Sequence, residues 1–341
     1  MRLLNASQLL ASVGEVMERL EELYSSKGWM EVTLTGEIVS LPYPVLSVGG
    51  RVIRGPPIDD RRFRELKPIP NRKRFLSVDA SLKVLFDCGS FKIIAVKTVA
   101  AMWRWRSLAR RFTPRKRFAV VSKRVEAEEL LLKAELEEAW RVAELLKEGD
   151  YCVLDRPLMA VPALKEETRK LMERFDKELS DRKVVVMGVC KASKMKLNTG
   201  EPLLGYLNYR GSLVLKGCAW WYYPLFKLQQ YPSWYVGEPC AVKFDGEADH
   251  AFRVDVSRKA LKEGDLEFFL GELALLQDAA TPGYPHPIRG VHEEAKITRY
   301  EAEVDRALLL EQLKRKGLAE RFLANVRAAS FKEEALWGSM F

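Results

Sequence analysis

The feature that most constrains this chain is residues 75–101, FLSVDASLKVLFDCGSFKIIAVKTVAA. An apolar run climbs to one aspartate, Asp79, and the small residues Ala80 and Ser81 follow it. A second apolar run then returns from Phe91 to Val99. The pattern predicts a β-hairpin whose first strand carries a lone carboxylate into apolar surroundings. A buried charge is costly unless something pairs with it. Asp79 therefore closes an edge turn, pairs with an arginine or binds a metal ion. The last reading requires further carboxylates elsewhere in the chain.

With 341 residues, 48% of them hydrophobic, the chain can bury a sizeable core in one large domain or two smaller ones. Its net charge of +9 favours an anionic partner, nucleic acid first and an anionic membrane surface second. The five cysteines (Cys88, Cys152, Cys190, Cys218, Cys240) are scattered, odd in number and never in a C-x-x-C pair. That spacing argues against a disulfide framework or a structural zinc site and fits a reducing cytoplasm. No signal-peptide pattern and no run of about 18 apolar residues is present. The expected location is cytoplasmic, with no membrane partner.

Residues 7–24 carry apolar side chains at helical spacing, with Ser7 or Asn5 as the cap. Residues 31–40 and 45–53 read as a short antiparallel pair, and the proline-rich 55–71 as a surface loop. Seven basic residues and no acidic one fall in 103–117, interleaved with Trp103, Trp105 and Phe112. Another seven, with one glutamate, fall in 61–74. Basic side chains among aromatics suit a phosphate backbone and unstacked bases. Arg104, Arg106, Arg110, Arg111, Arg115 and Lys116 are the candidate contacts, and Arg156 joins them from a later loop.

A helix is expected over 125–146, with Leu132, Ala139, Val142 and Leu146 as its apolar stripe. Glu135 falls inside that stripe and Glu138 at its edge, so Glu135 is the stronger candidate for an inward-facing carboxylate. Residues 151–154 form a short buried-type strand ending in Asp155, where α/β folds place ligands and chemistry. An amphipathic helix over 164–180 leads to a β-branched strand, 183–190, that runs into Lys191. A hairpin is expected at 205–215, and the eight aromatics of 217–235 read as core. Two more strands follow at 240–245 and 251–256, then a helix at 266–279. Prolines constrain a loop around Tyr284, and His292 is expected to open a helix as a metal ligand or proton carrier, with His286 an ordinary surface histidine. Packing helices at 301–316 and 318–328 complete the chain.

Asp79, Glu135 and Asp155 thus arrive from a strand, a helix and a strand, with His292 behind them. Oxygen ligands and one imidazole favour Mg²⁺ or Mn²⁺ over zinc. Two such ions about 4 Å apart can activate water and stabilise the leaving oxygen of a phosphodiester. The residues point to a metal-dependent nuclease on an α/β scaffold.

Five motifs in matching order resemble the NurA nucleases of archaea and some bacteria. They are Asp79-Ala80-Ser81, the helix with Glu135, Leu154-Asp155-Arg156-Pro157-Leu158, the strand into Lys191, and Gly283-Tyr284-Pro285-His286-Pro287 followed by His292-Glu293-Glu294-Ala295. The resemblance implies an RNase H-like α/β core, a mixed central sheet flanked by helices, over 75–300. The residue pattern itself adds an N-terminal helix and small β extension at 1–74 and C-terminal helices at 301–341. It also implies an Mn²⁺ (or Mg²⁺) nuclease acting on single-stranded DNA and on 5′ ends, a homodimer, and a HerA-type hexameric ATPase partner in double-strand break resection. By position, Asp79, Glu135, Asp155 and His292 would hold metal, with Tyr284 and Lys191 near the scissile phosphate. Two residues depart from the family pattern: Ala80 stands for a glycine and Arg156 for a small residue. Arg156 could pair with Asp155 against the metal or contact phosphate. A catalytically weak DNA-binding or scaffold subunit, or an enzyme acting on RNA or a hybrid, is the alternative function.

Overall fold

The structure, a computed structural model, describes residues 6–24, 29–32, 38–48, 50–191, 193–226, 234–278 and 281–336. Among them ten strands make one mixed sheet. In chain order they are β1 (Phe63–Glu65), β2 (Arg74–Asp87), β3 (Lys92–Arg104), β4 (Ser107–Arg111), β5 (Arg115–Val121), β6 (Tyr151–Leu154), β7 (Val185–Cys190), β8 (Trp220–Tyr222), β9 (Gly237–Lys243) and β10 (Phe252–Ser257). The spatial order is β1-β8-β9-β10-β7-β6-β2-β3-β4, with β5 also paired to β3. β6 runs parallel to both β2 and β7, and β3, β4 and β5 add antiparallel strands beyond β2. This is the expected RNase H-like core.

The hairpin expected from residues 75–101 is β2–β3, longer than the apolar runs at both ends. At its turn the Asp87 carboxylate accepts the N–H of Gly89 at 2.9 Å, and Gly89 holds φ at +78°. Glycine enters that left-handed region without the Cβ penalty. Asp79 lies mid-strand opposite Val99, not at the strand end.

Side chains alternate across the sheet, and both faces are covered. Phe75, Tyr151, Val153 and Met187 share one core with Leu270 and Ile288. Leu76, Val78, Cys152, Leu154 and Val186 share the other with Leu132, Leu136, Met172 and Phe175. The helices divide accordingly: α1 (Ala6–Tyr24) precedes the sheet, while α2 (Arg124–Ala143) and α3 (Glu166–Asp181) cover the second face. Further along come α4 (Leu203–Val214), the single-turn α5 (Ala260–Glu263), α6 (Leu266–Ala274) and α7 (His286–Ala295), with α6 and α7 on the first face. α8 (Arg299–Arg315) and α9 (Ala319–Leu336) pack beside the β2–β3 turn, where Ala302 and Phe322 meet Leu85 and Phe86. No described helix is long and apolar enough to cross a membrane.

Six local expectations are corrected. Residues 31–40 and 45–53 do not pair with each other: Trp29–Val32 pairs with Ile38–Leu41, and Pro44–Val48 pairs with Arg51–Arg54. Gly50, at φ +76°, lets the second run turn back on itself. The hairpin expected at 205–215 is α4, which Pro202 leads into. Its Gly211 is a packing residue, not a turn residue, because the Trp220 indole lies 2.6 Å from where a Cβ would project. The helix expected to open at His292 opens at His286, where Pro285 and Pro287 suit a first turn, and His292 sits in its last turn. Tyr284 lies on a short strand, Thr281–Pro285, paired with Gln277–Asp278, which also ends the preceding helix at Ala274. Ser7 lies within α1 and Asn5 lies outside the described residues. The aromatic stretch is core as expected: Trp220, Tyr222, Phe226 and Tyr235 are fully buried, and Tyr231 lies outside the described residues.

Gly211 sets helix propensity against packing. Alanine in a helix interior is favoured over glycine by about 1 kcal/mol, while overpacking a fixed core costs about 1–3 kcal/mol. Trp220 is fully buried, so its indole would have to shift within the core to admit the methyl group. Gly211→Ala is therefore expected to lower the urea midpoint of unfolding; a higher midpoint would refute this packing account.

Candidate metal centre

The parallel register sets Val78 beside Leu154, so the next residue on each strand, Asp79 and Asp155, emerges side by side from neighbouring strands. Adjacent strands are about 4.8 Å apart. Both carboxylates follow the alternation of Phe75 and Tyr151 and belong to the face covered by α7. Their side chains are 8% and 7% exposed. Two like charges so placed repel. The Asp79 carboxyl is held above its ordinary range, by burial first and by the Asp155 charge second, with His292 opposing both.

His292 meets the pair from the last turn of α7. Its Nδ1 is 2.9 Å from Asp79 Oδ2 and 3.3 Å from Asp155 Oδ2. The backbone N–H of Ala80 donates to the other Asp79 oxygen at 2.8 Å. The Ser81 hydroxyl donates to the Ala295 carbonyl, tying the Asp79 strand to the end of the histidine's helix. On the far side, the Lys191 ammonium is 2.5 Å from Asp155 Oδ2 and lies over the Tyr284 ring, 5.2 Å from its centroid. The Tyr284 hydroxyl is 3.4 Å from Asp155 Oδ1. Burial, then Asp155, keeps that phenol well above its ordinary range, so it remains an O–H donor.

Asp79, Asp155 and His292 each offer one ligand atom, all within 4.8 Å of one another. Two carboxylate oxygens and one imidazole nitrogen form a donor set for a hard divalent ion, Mg²⁺ or Mn²⁺. Ala80 does not disturb it: the residue pairs with Thr98 in regular strand, and its φ is not positive, so its methyl group brings no backbone strain.

Glu135 is not in this cluster. It rises from α2 on the opposite face of the sheet, and Arg156, the next residue after Asp155, meets it there. Arg156 Nη2 is 2.8 Å from Glu135 Oε1, and its Nε donates to the second oxygen, so the pair is bidentate. Arg156 is thus paired with Glu135 and not with Asp155. Burial pushes the Glu135 carboxyl up to about 7, with the Arg156 charge opposing and Asp79 and Asp155 adding smaller upward pushes. Glu138 is also buried but is held by Arg141 and by Arg115 at 3.5 Å.

The other basic residues line the β3–β5 edge, and most have partners. Arg111 is 3.3 Å from Glu294, and Lys116 is 2.9 Å from Asp305. Arg104 and Arg106 donate to the Arg72 and Leu275 carbonyls at 3.2 and 3.4 Å, while Arg110 lies over the Phe112 ring. The Arg111 and Arg115 side chains remain 64% and 59% exposed, so they can still reach a phosphate.

Sequence reasoning missed a second set of residues, which fixes the chain just after Asp155. Asp255 on β10 accepts the Leu158 N–H at 3.0 Å and pairs with Arg253 at 2.6 Å; Arg253 also donates to the Tyr235 hydroxyl at 2.7 Å. Gly188 and Gly237 let the segment pass: a Cβ on Gly188 would fall 2.1 Å from the Arg156 carbonyl oxygen, and one on Gly237 2.8 Å from Leu158 Cβ. The available signal was Arg253 and Asp255 two apart in the otherwise apolar strand FRVDVS, one face of a buried strand.

No protein-family model matches the sequence, and no curated protein is detectably similar to it. Among solved structures, the chain resembles the NurA nuclease from Sulfolobus solfataricus with a TM-score of 0.56 at 14% identity, over 75% of this chain and 89% of that one. A second NurA structure matches with a TM-score of 0.52 at 10% identity, over 75% of this chain and 91% of that one. The likeness at these identities establishes a shared fold.

The raised carboxyl of Asp79 has a sign that can be tested. A folded-state acid that holds its proton more tightly than in the unfolded chain favours folding at low pH and weakens it as pH rises through its own range. At pH 8 the ionised Asp79 is a burden on the fold. Asp79→Asn is expected to raise the urea midpoint at pH 8, with the gain shrinking toward about pH 4. A lower midpoint at pH 8 would show that the carboxylate is a net structural contact.

Proposed function

We propose that this chain is a divalent-metal-dependent phosphodiesterase acting on DNA, cutting single strands and trimming 5′ ends. One observation carries the reading: Asp79, Asp155 and His292 converge within 4.8 Å at neighbouring parallel strands of an RNase H-like sheet. These three would hold Mn²⁺ or Mg²⁺, which when bound supplies a Lewis acid for the phosphodiester and lowers the pKa of a bound water.

The chain's own groups act around that ion. Lys191 and Tyr284, both on Asp155, present an ammonium and a phenol O–H to a phosphate oxygen and fix the carboxylate's orientation. The exposed guanidinium groups of the β3–β5 edge would track the backbone, consistent with the net charge of +9. The order of the motifs and the shared fold support the wider reading: a homodimer that works with a HerA-type hexameric ATPase in resecting double-strand breaks. The engagement of Glu135 by Arg156 favours a second reading, in which the same fold binds DNA for the translocase without cutting it.

Incubation of the purified protein with single-stranded DNA and Mn²⁺ tests the choice. Loss of a metal ligand is expected to reduce cleavage by more than the 10–100-fold typical of outer-shell changes. Asp79→Ala should therefore cut at least about 100-fold more slowly than wild type. If wild type cuts no better than Asp79→Ala with either Mn²⁺ or Mg²⁺ while salt-sensitive DNA binding persists, the scaffold reading replaces the enzyme.

A further inference from the structure

The arrangement of Arg156 bears on how many ions the centre takes, a question that rests on the metal-dependent reading above. Two-ion sites need a carboxylate beyond those of the first ion, and Glu135, buried on the α2 side, is the remaining acid of the expected set. It is close enough to Asp79 and Asp155 for their charges to act on it. Yet both of its oxygens are occupied by the Arg156 fork. The same guanidinium lies in the field of Asp79 and Asp155 as well as of Glu135. A fixed cation, on the residue next to Asp155, therefore already occupies the acid that a second ion would need.

Charge counting points the same way. Asp79, Asp155 and Glu135 bring three negative charges, and Arg156 and Lys191 bring two positive ones. One divalent ion more than neutralises the remainder. A second would enter a site that is already positive, against both the guanidinium and the ammonium. Geometry adds a further point. The bidentate pair uses Nε and Nη2 of Arg156 and leaves the Nη1 donors for another acceptor.

We propose that Arg156 takes the place of a second metal ion. The centre binds one divalent ion per chain, held by Asp79, Asp155 and His292. Glu135 is a positioning residue that holds Arg156, and the Arg156 fork withholds both Glu135 oxygens from a second ion.

Counting Mn²⁺ on the full-length protein by equilibrium dialysis with electron paramagnetic resonance tests this without reference to activity. Wild type should bind one ion per chain. Glu135→Gln should still bind one, with affinity within about threefold of wild type. Arg156→Ala, which frees Glu135, should bind two, and the double variant Arg156→Ala/Glu135→Gln should return to one. Two ions on wild type overturn the inference and leave the metal centre standing. So does loss of Mn²⁺ from Glu135→Gln, or a single ion on a folded Arg156→Ala. No ion on wild type overturns the metal centre itself. If Arg156→Ala does not fold, because a buried carboxylate is left unpaired, the wild-type and Glu135→Gln counts decide the matter alone.

Discussion

The parallel pairing of β2 with β6 is the interaction on which the rest of the site depends. It places Asp79 and Asp155 at neighbouring positions on the same face, where burial and mutual repulsion both oppose ionisation. Left alone, such a pair would protonate or splay apart. The fold holds it with cations and donors brought from distant parts of the chain. His292 comes from α7, Lys191 from just past β7, and Tyr284 from the short strand before α7. The Ser81–Ala295 bond then locks α7 to the strand it serves. A cluster of negative charge is thus kept together by an imidazole, an ammonium and a phenol brought from three separate elements.

Two faces of one sheet divide the acids. Asp79 and Asp155 belong to the α7 side, and Glu135 to the α2 side, so a carboxylate with the right burial still falls outside the cluster. Asp155 and Arg156 are consecutive and leave the strand in opposite directions. One goes to the His292 side and the other to Glu135. The identity of the residue after Asp155 is therefore a decision about the opposite face, where a small residue would leave Glu135 buried without a partner. An uncompensated buried carboxylate is far more costly than a paired one.

Much of this was legible in the sequence because it follows from local pattern. Asp79 and Asp155, which the structure brings together, stand out as lone acids in or at the end of apolar strands. His292 and Tyr284, which lie beside them, stand out by their place in a proline-rich approach. Glu135 was correctly read as buried, but burial does not say on which side of a sheet a helix lies. The partner of Arg156 is illegible for the same reason, since it depends on how a helix 21 residues earlier in sequence packs. The stretch 205–215, expected as a hairpin, is a helix, and the packing role of Gly211 becomes visible only when Trp220 is seen against it. The hairpins before residue 55 were mispaired because pairing between short strands is a tertiary choice that periodicity does not encode.

The least legible part is the clamp behind Asp155, and its chemistry explains why it is built from charge. Arg253 and Asp255 are 1% and 0% exposed, and a buried ion pair is weak evidence of stability by itself. An apolar pair of similar volume could fill the space, but it could not accept the Leu158 N–H. That N–H belongs to the segment that turns Arg156 toward α2 and fixes the carboxylate before it. Leu158 also accepts from Val236 and Gly237 at 3.1 Å, so the turn is bonded from both sides while two glycines remove the side chains that would push it away. The buried ion pair acts as a ruler: it sets where the backbone after β6 can lie, and through that backbone the positions of Asp155 on one face and Arg156 on the other.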